Sequence, residues 1–199
     1  GQLEIDREQR FPAVTDTLRH RGQIPPAILV MMDHGAQERP EEYLIGGSRN
    51  LAARQWIWES VIPYVEARYE TAGRWAVGGS NGASFAAQVA LGRPDLFSGS
   101  AFYSPWHRNG LEGILKMADE WPGGGRFAIS HGNFGAGERK NLPGAFALVD
   151  HLKARHAAVY FVELDGFGHN FHAWHFALPG LLRWLLGERE EQKEAKGAK

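Results

Sequence analysis

Hydrophobic positions along the chain switch repeatedly between a short run and a helical spacing. Phe11, Val14 and Leu18 fall three and four apart, which predicts a helix over Phe11–Arg21. After Pro25-Pro26, Ala27–Met32 (AILVMM) is an unbroken apolar run, the pattern of a strand covered on both faces. Asp33–Gly47 is polar and broken by Gly and Pro, a long loop. Arg49–Tyr69 carries Leu51, Ile57, Val61, Ile62 and Val65 on one stripe, a long helix bent near Pro63. From there strands and helices alternate. Strands are predicted over Trp75–Val77, Phe97–Tyr103, Phe127–Ser130 and Val159–Leu164, and helices over Ala83–Leu91, Leu111–Asp119, Leu142–Ala154 and Trp174–Leu186. Glu188–Lys199 is charged with almost no apolar residue, the pattern of a disordered tail.

Five strands alternating with helices predict an α/β fold, a three-layer sandwich around a mainly parallel sheet. The folded unit is expected over residues 1–187, with 188–199 as the tail. Composition fits this picture: 43% hydrophobic and 23% charged residues are ordinary for a globular domain. A formal net charge of -1 gives no reason to expect nucleic acid as a partner. No apolar run approaches the length of a membrane span, and no secretory leader precedes the first helix. The chain has no cysteine, which removes disulfides, thiolate metal sites and a cysteine nucleophile. The compartment stays open, with the cytoplasm favoured, and so does the oligomeric state.

In a sheet of this kind the chemistry sits beyond the carboxyl ends of the strands. After Trp75–Val77 comes Gly78-Gly79-Ser80-Asn81-Gly82 and then a helix of small residues. G-x-S-x-G between strand and helix is the nucleophile elbow, a sharp turn that exposes a serine hydroxyl at the N-terminus of a helix. Ser80 is therefore the candidate nucleophile. After the last strand, His169 stands in a Gly-rich loop before the last helix, the place of a general base that takes the serine proton. His172 and His175 follow at three-residue spacing. A His169–His172–His175 metal site is the competing reading, weakened by the lack of a carboxylate in a metal motif beside them. After Phe127–Ser130, Glu138 is the only carboxylate of the loop His131–Glu138, and in the chain order serine, acid, histidine it is the candidate acid. Asp165 is the second choice and Asp150 the third.

An oxyanion hole in this fold takes one N–H from the residue after the nucleophile, here Asn81. The other comes from a loop whose strand, counted back from the elbow, ends just before Gly1. Gln2, or Gly1, is the candidate second donor. The chain starts with Gly rather than Met, and the earliest strands of such a sheet find no counterpart in the sequence. Trp106 follows Ser104-Pro105 at another strand end and is a candidate wall for an aryl ester.

Four further segments carry a family resemblance. They are Asp33 through Tyr43 with Arg39-Pro40-Glu41-Glu42-Tyr43; Trp58-Glu59-Ser60-Val61-Ile62-Pro63; Arg93-Pro94-Asp95-Leu96-Phe97-Ser98-Gly99; and Gly168-His169-Asn170-Phe171-His172-Ala173-Trp174. Together with the elbow they make the chain, from Gly1 to Leu186, resemble the "Putative esterase" family of the α/β-hydrolase fold. That family includes enterochelin esterases and, more distantly, feruloyl esterases and S-formylglutathione hydrolases. The resemblance implies hydrolysis of a carboxylic ester through an acyl-enzyme. It puts Ser80 and His169 on the family's catalytic positions and Glu138 near a G-x-x-E segment where the family's acid is less uniform. It also makes Arg39 and Trp174 candidates for lining the substrate pocket. The N-terminal domain of the enterochelin branch has no counterpart in this sequence.

The expected function is that of a serine esterase acting on a small-molecule ester, with neither nucleic acid nor membrane as partner and with no metal or organic cofactor required. Two alternatives remain from the sequence: an acyltransferase with the same three residues, and a binding domain or inactive form on the same fold.

Overall fold

A computed structural model of the chain describes residues 10–32, 39–105 and 110–187. At its centre is a four-stranded, all-parallel sheet in which sequence neighbours are spatial neighbours: β1 (Trp75–Gly79), β2 (Gly99–Tyr103), β3 (Arg126–Gly132) and β4 (Ala158–Leu164). Each strand hands over to the next through one helix: α5 (Asn81–Leu91), α6 (Leu111–Asp119) and α7 (Ala136–Ala154). A sheet that grows in one direction by crossovers of one hand must carry all its crossover helices on the same face. The core shows this. Phe102, Phe127 and Ile129 point to the face covered by Ala83, Ala87, Ile114, Leu148 and Leu152 of the three crossover helices. The alternate residues Ala101, Tyr103, Ala128 and Leu164 point to the other face. There α1 (Phe11–His20) and the last helix, α8 (Phe171–Leu186), cover them with Leu18, Ala177, Leu178, Leu181 and Leu185. Both faces are thus buried, as unbroken apolar strands require. The architecture is the three-layer α/β-hydrolase fold.

α5 can be built from Ala83, Ala86, Ala87 and Ala90 because it is enclosed on nearly every side. A third cluster closes its outer surface: Ile57, Phe85, Val89 and Phe97, with Tyr43, Trp58 and Ile62 packed on them. Tyr43 ends the short helix α2 (Arg39–Tyr43) and stacks on Phe85 with ring centroids 4.6 Å apart. The buried Gln88 amide donates to the Tyr43 carbonyl at 2.9 Å, so α2 is tied to the elbow helix.

Three expectations are corrected. Ala27–Met32 is not a strand. Its backbone joins no ladder, and Ile28 and Val30 are 46% and 49% exposed. An apolar run becomes a strand only where a neighbour pairs its N–H and C=O groups, and β1 forms the edge of the observed sheet on its own side. The described sheet accordingly has four strands where five were expected. The long helix also differs. It is helical over Asn50–Glu66 rather than to Tyr69, as α3 (Asn50–Trp56), a π-helical turn (Ile57–Val61) and α4 (Ile62–Glu66). In the π turn the Ile62 N–H donates to the Ile57 carbonyl, five residues back. This wide turn ends two residues before Pro63, which has no N–H to continue the regular ladder. The third correction concerns Glu138. It lies not in a loop but in the first turn of α7, which begins at Ala136 and runs through Pro143. The expected tail, 188–199, lies outside the described residues.

Candidate active site

The β1–α5 turn is as sharp as the motif implies. Ser80 has φ 57° and ψ −125°, a combination that side-chain sterics disfavour and that persists only where the surroundings impose it. Two things impose it here. The Ser80 N–H donates to the Tyr103 carbonyl at 2.9 Å, which continues the β1–β2 ladder up to the serine itself. Helix α5 starts at the next residue, and the Ser80 carbonyl already accepts from Ala83 and Ser84. Gly78 makes the reversal possible, since a Cβ there would run into the Gly82 carbonyl. Gly82 is less constrained, with only the Tyr43 ring near its Cβ position, at 3.9 Å.

The His169 loop is laced to the loop after β3. Phe134 N–H donates to the Phe167 carbonyl at 3.0 Å. The Asn133 amide donates to Glu163 and Asp165 at 2.8 and 3.0 Å, and its carbonyl accepts from the Gly166 N–H at 2.9 Å. Gly132 lets the two loops meet, because a Cβ there would strike the Phe167 carbonyl. Asn170 caps α8 by accepting the Ala173 N–H at 3.1 Å, which starts the helix two residues after His169. Trp174, one turn into α8, meets the His169 ring edge-on at 5.4 Å, covers Gly79 and donates from its indole to the Ser104 hydroxyl at 3.3 Å. It is 8% exposed and backs His169, which leaves little of the ring for a bound ester.

These constraints bring three of the expected residues into one hydrogen-bonded line. His169 Nε2 is 2.8 Å from Ser80 Oγ, and His169 Nδ1 contacts Glu138 Oε1. Glu138 is 1% exposed and sits at the N-terminus of α7, where a carboxylate is favoured. Burial pushes its carboxyl pKa up, but hydrogen bonds from His131 and His169 outweigh that and hold it down at about 2. Glu138 is therefore an anion at neutral pH. His131, the penultimate residue of β3, is also fully buried, and its Nδ1 lies 2.8 Å from Glu138 Oε2. The sequence reading gave His131 no part. The only signal was an imidazole at the end of an apolar strand, seven residues before Glu138.

The remaining candidates divide. Asn81 opens α5 and is 9% exposed. Its N–H belongs to the first helical turn, where no intrahelical acceptor exists. Asp165 is exposed and engaged by Asn133, away from His169 Nδ1. Asp150 is exposed on α7. Arg39 opens α2, the helix that carries Tyr43, and is half-buried. His172 and His175 lie in α8, and among the described residues no group of three or more His, Cys, Asp or Glu is placed to hold a metal ion. Gln2 and Trp106 lie outside the described residues. Among those described, no helix is long and apolar enough to cross a membrane.

The family model "Putative esterase" matches residues 1–185. No curated protein matches the sequence. Among solved structures the chain is similar to the enterobactin esterase FES from Shigella flexneri, with 24% identity and a TM-score of 0.68 over 85% of this chain and 46% of that one. It is also similar to a ferulic acid esterase, with 16% identity and a TM-score of 0.67 over 90% and 77% of the two chains. An S-formylglutathione hydrolase from Agrobacterium tumefaciens matches at 16% identity with a TM-score of 0.55, over 68% of this chain and 58% of that one. At these identities the likeness is one of fold, and the chain spans about half the length of the Shigella enzyme.

Proposed function

Since this chain belongs to the Putative esterase family, we propose that it is a serine esterase that hydrolyses a carboxylic ester of a small molecule, with Ser80 as nucleophile. The observation that carries the proposal is the Ser80 Oγ–His169 Nε2 contact at 2.8 Å, made by a serine held at φ 57° on a strand-to-helix turn.

The chemistry follows from the proton positions. Glu138 is an anion facing His169 Nδ1, so that nitrogen carries the proton and Nε2 presents a lone pair to the Ser80 hydroxyl. As Ser80 Oγ attacks the ester carbonyl, its proton passes to Nε2, and the imidazolium is stabilised by the buried carboxylate. The carbonyl oxygen becomes an oxyanion at the N-terminus of α5, where the Asn81 N–H is the donor. The imidazolium returns its proton to the departing alcohol, leaving an acyl-serine. Water, deprotonated by His169, then attacks the acyl-serine, and the imidazolium returns the proton to Ser80 Oγ as the carboxylic acid leaves. Acyl transfer to an alcohol instead of water would use the same residues, so the acceptor is decided by product analysis with an added alcohol. The FES enzyme was crystallised in the presence of enterobactin and of 2,3-dihydroxy-N-benzoyl-glycine and -serine; esters of N-aroyl amino acids are accordingly among the first substrates to assay. A test is turnover of p-nitrophenyl acetate by the unaltered protein and by Ser80→Ala. Turnover that survives in folded Ser80→Ala would overturn the proposal.

A further inference from the structure

Glu138 has two carboxylate oxygens and no access to water. Oε1 is taken by His169. The group that meets Oε2 is the buried imidazole of His131. His131 Nδ1 is 2.7 Å from the Gly132 carbonyl oxygen and 2.8 Å from Glu138 Oε2. Both are acceptors, so this nitrogen must carry a proton, since a lone pair there would face two oxygens. The N–H points along the carbonyl, and Glu138 Oε2, 2.8 Å from the same nitrogen, meets it in close electrostatic contact outside hydrogen-bond geometry, with no hydrogen-bond partner among the described residues. His131 Nε2 is buried with no hydrogen-bond partner among the described residues, so a second proton there would be an unpaired buried donor. The geometry describes an imidazole that carries its proton on Nδ1 and has one fixed duty.

We infer that His131 is a positioning residue for Glu138: it holds Oε2 and thereby aims Oε1 at His169. The proposed line of groups then runs Ser80–His169–Glu138–His131, with the last member buried behind the first three. A carboxylate held by a single partner can turn about its last bond, whereas one gripped on both oxygens cannot. His131 is rigid in turn because it lies in β3, paired through its Cα register with Glu163 of β4. The titratable groups acting on Glu138 are His131 from β3 and His169 from the loop after β4. This inference rests on the assignment of Ser80, His169 and Glu138 made above.

The test compares His131→Leu, which removes the donor, with His131→Asn, whose amide nitrogen can stand near the Nδ1 position. In His131→Leu the carboxylate is free to turn away from His169 and holds its imidazolium less well, so the acidic limb of kcat/KM should move down by about half a pH unit or more. The kcat should fall about tenfold with KM little changed, because the contact acts on proton transfer rather than on ester binding. His131→Asn should recover most of both losses. A readout independent of turnover is the proton NMR spectrum of the unaltered protein. It should include exchange-protected imidazole N–H signals from His131 and His169, and His131→Leu should delete the first and displace the second. A folded His131→Leu protein with an unmoved acidic limb, unchanged kcat and an undisplaced His169 signal would overturn the inference. Absence of turnover in the unaltered protein would instead count against the esterase assignment, and the NMR comparison would still decide whether His131 holds Glu138.

Discussion

Replacing Glu138 by glutamine changes one atom and should disable the proposed site. Glutamine keeps the shape of the side chain but offers one acceptor oxygen and one NH2 donor. The amide faces His131 on one side and His169 on the other. His131 Nδ1 lies between two acceptors and must donate, so it selects the amide oxygen. The NH2 group is then turned toward His169 Nδ1, which must accept and cannot carry its proton. His169 is forced into the Nε2–H tautomer and donates to Ser80 Oγ instead of receiving its proton. A wrong tautomer in an otherwise intact triad costs roughly 10⁴ in kcat, equivalent to about 5 kcal/mol of barrier. The assay is steady-state hydrolysis of p-nitrophenyl acetate at neutral pH by Glu138→Gln, with circular dichroism to establish that the variant is folded. A folded variant within tenfold of the parent would refute the reasoning, because it would mean that Glu138 does not set the His169 tautomer.

Two further outcomes follow from the same geometry. Gly78→Ala should cost about 1–3 kcal/mol in urea unfolding and abolish turnover, since its Cβ would meet the Gly82 carbonyl and push the elbow open; a variant of parental stability and rate would contradict this. Glu138 should also shape acid stability. Its carboxyl is held at about 2 in the fold against 4.5 for an unperturbed glutamate. A folded-state pKa that is lowered contributes stability above the unfolded value, and that contribution is lost as pH falls from about 4.5 toward about 2. It amounts to about 3 kcal/mol, so the stability gap between the parent and Glu138→Gln should narrow across that window; a gap independent of pH would contradict it.

Much of the site was legible because its signals are local. G-x-S-x-G between an apolar run and a small-residue helix specifies both a turn and its surroundings, and Ser80 stands on that turn. Glu138 became the candidate acid as the only carboxylate among the residues after one strand, although α7 begins earlier than its apolar spacing suggests. Gly135, Gly137 and Pro143 hid that first turn from a reading by periodicity. The failures were non-local. Whether Ala27–Met32 forms a strand depends on a pairing partner, which its own residues cannot supply. The π turn at Ile57–Val61 answers a missing N–H two residues beyond it. His131 carries no motif, and it gains a role only when helix α7 folds its first turn back onto the end of β3.

The central claim, that Ser80 is the nucleophile of an esterase, is tested most directly by treating the protein with an organofluorophosphonate probe and locating the adduct by peptide mass spectrometry. The account predicts one adduct, on Ser80, formed as ester turnover disappears and absent in Ser80→Ala. Ester turnover that persists with Ser80 fully labelled, or an adduct on a different serine that tracks the loss of activity, would contradict it.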